Sequence, residues 1–390
     1  MTQSRHWRPC GHTGDILVSC GENRGTRITI IGKIMNLKSI YSVIAVVAIV
    51  GTGCNPAESP DASNSGAAPE VSVSTNTVPI IVDRSNYQAA EVARNFTKWA
   101  ARGANNKLMH MTDVTPSGPA PTVRMNRDTL YSAAILDTST GNASITLPDV
   151  DLYQSVLMVD TDGYARGFVL EPGTHMIATD TQFVWALVRT GLEKGIEEAR
   201  HVQALVTVQG MGDATYSATE YDEESLARLT RVLVEESIAD DNGDLYYGNY
   251  PGQVDETRRL RSTAAGFGGM NGTNMYKFVE AVENNVCMQS TFSDPNAEEF
   301  FSFTLYDTSG FLMDGNTIVN SRDMSANEDG TYTVSINCGD DAINNISAPS
   351  DIETIGYAWR VYGASEEVEN RSWDPIDTMQ VVAEADTIKK

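Results

Sequence analysis

From Val123 onward the chain breaks into short apolar runs separated by turn residues: "LYSAAIL", "ASITLP", "YQSVLMV", "RGFVL", "HMIAT" and "FVWALVRT". Runs this short suit strands better than helices, and the breaks at Thr140-Gly141-Asn142, Asp162-Gly163 and Glu171-Pro172-Gly173 hold residues that reverse a chain. The spacing predicts a sheet of antiparallel hairpins. A second series, "VCMQSTF", "FFSFTLYD", "NTIVN", "GTYTVSIN" and "IGYAWRVYG", has turns at Asp307 to Gly310, Gly315-Asn316 and Asp329-Gly330, the rhythm of a sandwich or jelly roll. The expected fold is mainly β (α+β): two β-rich domains, the C-terminal one sandwich- or jelly-roll-like, with helical insertions.

Helical spacing marks three stretches. In "SNYQAAEVARNFTKWAAR" the residues Ala89, Val92, Ala93, Phe96, Trp99 and Ala100 recur on one face behind a Ser85 or Asn86 cap. "LEKGIEEARHVQALVTV" and "YDEESLARLTRVLVEESIAD" follow, the latter with Leu226, Leu229, Val232 and Leu233 as its stripe. The expected divisions are an N-terminal β-rich domain with a helix over 80–210, a helical insert and linker over 211–284, and a C-terminal β-sandwich over 285–384.

The beginning of the chain has a different composition. Met35 opens "MNLKSIYSVIAVVAIVGTGC", with Lys38 as a charged start, an apolar run from Ile40 to Val50, and Cys54 after Gly51, Thr52 and Gly53. The apolar run is shorter than the roughly 18 to 20 residues a spanning helix needs. The segment resembles a bacterial lipoprotein signal peptide over 35–53, with Cys54 as the lipidation site and Asn55 in place of the Asp that diverts such proteins from the outer membrane. Residues 1–34 fit neither signal nor domain and are expected to be a mis-assigned upstream extension. Residues 54–79, rich in Pro, Ser, Ala and Asn, are expected to form a flexible tether. The location this implies is the cell envelope, on the periplasmic face of the outer membrane, with the membrane as partner through the lipid.

Charge narrows the partners further. The 390 residues hold 28 Lys and Arg against 52 Asp and Glu, a formal net charge of −24. A surface so acidic repels phosphate backbones, so nucleic acid is excluded as a partner class. Past Cys54 only Cys287 and Cys338 remain. In an oxidising compartment they are either one disulfide or two buried thiols, and spacing alone leaves both readings open.

Tests for chemistry return mostly negatives. His110, His175 and His201 show no zinc-ligand spacing. "DTDG" at Asp160 to Gly163 and "DDNGD" at Asp240 to Asp244 do not register on a calcium loop and read as turns. No nucleophile elbow occurs, and "GFGGMNG" at Gly266 to Gly272 lacks the Lys-Ser/Thr ending of a phosphate loop. No cofactor is therefore expected.

The polar stretch "RMNRDTLY", Arg124 to Tyr131, is the exception. If it is extended throughout, Arg127, Thr129 and Tyr131 share one face, and Asn126, Asp128 and Leu130 the other. Arg127 could then present a forked donor to a ligand beside Tyr131, or it could pair internally while Asn126 and Asp128 hold a turn.

These residues carry a resemblance. "VRMNRDTLYSAAILD", "ITLPDVD" and "FVWALVRT" resemble the N-terminal half of a bipartite bacterial family catalogued as domains of unknown function 1254 and 1214. "FFSFTLYDTSGFL", "DGTYTVSIN" and "YAWRVYGASEEVENRSWDPI" resemble its C-terminal half. The family implies two β-rich domains and no settled reaction. It places His110 on the His that precedes the Asn-Arg-Asp run, and Arg360, Tyr362 and Trp373 on the C-terminal motif; "GASEEVEN" lacks the family's usual Pro and basic residue. The function expected is binding of a small polar or saccharide-like ligand, with Asn126, Arg127, Tyr131, Arg360 and Tyr362 as its contacts. The rivals are a hydrolase or lyase using His110 or Asp128 as base with Arg127 stabilising an anion, and a structural lipoprotein without a small ligand.

Overall fold

The structure is a computed structural model that describes residues 78–239, 248–267 and 274–390. The signal, Cys54 and most of the tether lie outside the described residues, as do the "DDNGD" stretch and most of "GFGGMNG". In chain order the elements are α1 (Tyr87–Ala100), β1 (Met109–Met111), β2 (Thr129–Asp137), β3 (Ala143–Leu147), β4 (Gln154–Asp160), β5 (Ala165–Val169), β6 (Gly173–Ile177) and β7 (Phe183–Gly191). Then come α2 (Ile196–Leu205), β8 (Thr207–Gln209), α3 (Glu223–Ala239), α4 (Glu256–Ala265), β9 (Asn274–Glu283), β10 (Met288–Phe292) and β11 (Phe300–Tyr306). The last strands are β12 (Ile318–Asn320), β13 (Tyr332–Ile336), β14 (Asn345–Ile346), β15 (Thr354–Tyr362) and β16 (Gln380–Val381). The protein is mainly β.

An antiparallel sheet in the order β1-β2-β7-β4-β5 forms the N-terminal centre. Strands β2, β4 and β7 are buried along their whole length, because both faces of the sheet are covered. Alternation sorts the side chains: Tyr131, Ala133, Ile135, Trp185 and Leu187 pack with Phe96 and Trp99 of α1, while Ala134, Leu136, Val184, Ala186 and Val188 pack on the small sheet β6-β3-β8. Full burial of Phe96 and Trp99 removes two large apolar surfaces from water, each stabilising the fold by roughly 2 to 3 kcal/mol.

Of the three expected turns in this region, only Asp162-Gly163 joins paired strands, β4 and β5. The Thr140 to Asn142 and Glu171 to Gly173 turns carry the chain between sheets instead. Turn chemistry marks where a chain reverses; which strand it then pairs with is settled by the apolar faces available. Asp160 works as a turn residue, its carboxylate accepting from the N–H groups of Asp162 and Tyr164 and pairing with Arg166.

Helix α1 begins after Asn86, whose side chain makes no capping bond; its Oδ1 accepts from the Asp83 N–H at 2.9 Å. In α3, Leu226 and Leu233 are fully buried against α1 and α4, but Val232 is exposed. Six positions separate Val232 from Leu226, a rotation of about 240° that takes it off the stripe.

The C-terminal region is built on a pair of four-stranded sheets, β12-β11-β15-β9 and β14-β13-β10-β16, which enclose Met288, Phe303, Val334, Ile336, Trp359 and Val361. Cys287 and Cys338 are joined by a disulfide that ties the region just before β10 to the end of β13. Strand β9 belongs to the first of these sheets through its pairing with β15, although it precedes residue 285. The outer face of that sheet, with Phe300, Tyr276, Arg360 and Tyr362, lies against the Tyr131 face of the N-terminal sheet.

Candidate functional site

The strand β2 starts at Thr129, so two-residue alternation does not extend back through the polar stretch. Arg124 has φ +56°, and its N–H donates to the Gly310 carbonyl at 2.7 Å. Gly310 itself has φ +80°, and a Cβ there would sit 3.3 Å from Val123 Cβ, so the close approach of the two loops needs glycine. The chain bends again at Arg127 and Asp128, just before β2, so alternation does not reach back to Arg127, and the expected sharing of a face by Arg127 and Tyr131 is not what the structure forms. Asn126 and Tyr131 line one hollow; Arg127 and Asp128 line another.

Arg127 works as a clamp. Its Nε donates to the Thr115 carbonyl at 2.9 Å, Nη1 to the Met313 carbonyl at 3.2 Å, and Nη2 to Ser117 Oγ at 2.8 Å, tying two loops to the start of β2. Asp128 is 3% exposed, and its carboxylate accepts from Ser302 Oγ at 2.7 Å and Asn320 Nδ2 at 2.9 Å. Burial raises its pKa above the ordinary carboxyl value, against the pull of those two hydrogen bonds. The cleft beside them, about 540 Å³, also holds Arg322, which ion-pairs with Glu193 at 3.3 Å and lies 4.0 Å over the Phe300 ring. Arg322 is thus spent on Glu193, Arg127 on backbone carbonyls and a hydroxyl, and Asp128 on two neutral side chains.

His110 stands apart from both hollows. It pairs across β1 and β2 with Ser132, and its Nδ1 is 2.8 Å from Ser132 Oγ, on the face where Gln203 of α2 also reaches Ser132. Tyr131 points to the opposite face of the same strand. His110, Asp128 and Arg127 are therefore not assembled into one acid–base site. Burial lowers the pKa of His110.

The other hollow collects what the sequence had scattered. Asn126, Tyr131, Arg360 and Tyr362 all line a recess of about 40 Å³, together with Arg189 of β7 and Tyr276 of β9. Register explains the grouping: Tyr131 pairs with Arg189 across β2 and β7, and Arg360 with Tyr276 across β15 and β9. Arg360 is 3% exposed; its Nη2 donates to the Arg124 carbonyl at 2.8 Å and to the Tyr306 hydroxyl, which in turn donates to the Met125 carbonyl at 3.0 Å. Asn126 Oδ1 accepts from the Thr129 N–H at 3.3 Å, which fixes the amide orientation and leaves Nδ2 to donate to the Tyr362 hydroxyl. Burial pushes the phenols of Tyr362 and Tyr276 above their usual range, so both are neutral at physiological pH.

The recess adjoins a larger cleft of about 620 Å³, the two sharing Thr122, Val123, Arg124 and Phe267. Arg124 forms the partition, its guanidinium holding Glu280 and the Ala265 carbonyl and lying 5.1 Å from the Phe278 ring centre. Sequence reasoning singled out neither Arg189 nor Tyr276. The signal for Arg189 was present: it is one charge in the otherwise apolar strand "FVWALVRT", at a position that alternation turns inward. Tyr276 had none, because β9 was hidden behind a glycine-rich passage. Among the described residues no group of three or more His, Cys, Asp or Glu suits a metal ion, and no helix is long and apolar enough to cross a membrane.

Residues 105–210 match a family model described as a protein of unknown function (DUF1254). No curated protein matches the chain. Among solved structures, the VPA0106 protein from Vibrio parahaemolyticus aligns with a TM-score of 0.57 at 15% identity, over 77% of this chain and 98% of that one. An uncharacterised protein from Burkholderia cenocepacia aligns with a TM-score of 0.47 at 14% identity, over 77% of this chain and 89% of that one. The first likeness shows a shared fold.

Proposed function

We propose that this chain is a lipid-anchored envelope protein that binds a small polar ligand where its N-terminal and C-terminal sheets meet. The observation that carries the reading is convergence: Asn126, Tyr131, Arg360 and Tyr362, from opposite ends of the folded chain, line one recess beside a cleft large enough for a ligand. In this reading residues 285–384 are the companion half, of the 1214 type, to the matched 1254 segment, and both halves are needed to close the site. Cys54 carries the lipid, and the membrane is a partner only through it.

A thermal-shift screen of the full chain against sugars, polyols, carboxylates and divalent ions tests the binding reading. A ligand that raises the melting temperature of the wild type, but not of a Tyr131→Phe, Arg360→Met double variant, supports it; a panel without response, or with equal response in the variant, sinks it. Metabolic labelling with a fatty-acid probe tests the anchor, which requires incorporation that Cys54→Ala abolishes.

A further inference from the structure

The unspent polar groups of the recess are hydrogen donors. Asn126 has used its acceptor on Thr129. The Tyr131 hydroxyl accepts from the Asn126 backbone N–H at 3.2 Å, and the Tyr362 hydroxyl accepts from Asn126 Nδ2. A phenol that accepts still has its own proton to give, and no acceptor among the described residues takes either one. Arg360 Nη1 is buried without a hydrogen-bond partner. Among the described residues that line the recess there is no Asp or Glu, and the Tyr276 and Tyr362 phenols are neutral. Asp128, whose field reaches Arg360, gives its oxygens to Ser302 and Asn320 and makes no ion pair with it.

A buried cation needs a counter-charge, and donors without acceptors need lone pairs. We propose that the recess is a carboxylate site, in which one carboxylate oxygen takes Arg360 Nη1 and the pair of oxygens receives the phenolic protons of Tyr131 and Tyr362. This deepens the ligand-binding reading and rests on it. A space of about 40 Å³ holds a carboxylate group and little else, so the remainder of a larger ligand extends past Arg124 into the adjoining cleft of about 620 Å³. A flat carboxylate fits a space of this size, whereas a tetrahedral phosphate is bulkier.

Calorimetric titration of the full chain in a chloride-free buffer tests this with four probes: acetate, hexanoate, hexanamide and inorganic phosphate. Acetate and hexanoate bind, hexanoate at least tenfold more tightly, and hexanamide and phosphate do not. Arg360→Met abolishes carboxylate binding, and Tyr362→Phe weakens it about tenfold while keeping the ring in the core; an unchanged far-ultraviolet dichroism spectrum separates a lost ligand from a lost fold. Equal affinity for acetate and hexanoate supports the site and identifies its occupant as a free small anion. Binding of hexanamide as tight as that of hexanoate, a preference for phosphate, or carboxylate binding that survives Arg360→Met overturns the assignment. A neutral polyol that binds where carboxylates do not overturns it while leaving the ligand-binding reading in place; silence from every probe and every polyol removes both.

Discussion

Two polar hollows flank the same short stretch, Asn126 to Tyr131, and they differ in how donors are matched to acceptors more than in composition. On one side Arg127 is matched to carbonyls and a hydroxyl, Asp128 to two donors, and Arg322 to Glu193. On the other, Arg360 is half satisfied and the phenols of Tyr131 and Tyr362 have protons left to give. Both hollows contain a buried charged side chain and an arginine over an aromatic ring, Asp128 and Arg322 in one and Arg360 in the other. The difference teaches that charge and burial alone do not distinguish them: the matched side holds loops together, and the unmatched side is where we propose that a ligand binds.

The comparison can be broken by experiment. The largest effect belongs to a change that touches neither hollow: replacing Cys287 and Cys338 by Ser opens a loop of 51 residues and lowers stability by about 4 kcal/mol, with carboxylate binding unchanged. Next, Arg127→Met deprives Thr115 and Met313 of a donor and frees two loops, for a loss of about 2 to 4 kcal/mol in urea unfolding. Arg360→Met has the opposite profile. It leaves the Arg124 carbonyl and the Tyr306 hydroxyl without that donor but also removes a buried cation that lacks a carboxylate, so the stability loss is smaller, about 1 to 2 kcal/mol, while binding disappears. If the two methionine variants behave alike, the distinction between clamp and site fails.

Titration gives smaller signals. Burial raises the Asp128 pKa, so the folded chain holds that proton more tightly than the unfolded one. Its contribution therefore favours the fold at acid pH and is lost as pH climbs from the ordinary value of 3.8 through the folded one. Asp128→Asn flattens the stability profile across that window; an unchanged slope would show that Asp128 is not the group responsible. His110 gives the smallest effect and the opposite sign. Burial lowers its pKa, so its contribution is complete above 6.5 and declines on acidification through the folded value, a decline that His110→Gln removes from melting curves recorded across that range.

Much of the fold was legible because it follows local rules. Short apolar runs between turn residues, "LYSAAIL" and "FVWALVRT", located β2 and β7, and helical spacing of Phe96 and Trp99 located the core face of α1. Val232 went astray because an apolar residue sits near the stripe in sequence but not in angle. The hairpin expectation failed where two turns led from sheet to sheet. Within the candidate site, Asn126, Tyr131, Arg360 and Tyr362 were singled out in advance, whereas the register that set Arg127 beside Tyr131 and Asn126 on the opposite face is interrupted by the bend at Arg127 and Asp128.

By itself the sequence determined the strand and helix periods, the turn points and the acidic balance, since each depends on residues within a few positions of one another. Only the tertiary structure decided which polar groups stay unspent. That outcome depends on partners far apart in the chain: the acceptor that Asn126 finds in Tyr362 lies 236 positions away, and the carbonyl that Arg360 finds in Arg124 is equally distant. A residue's type says what hydrogen bonds it can make, but whether they are already made is a property of the packed fold.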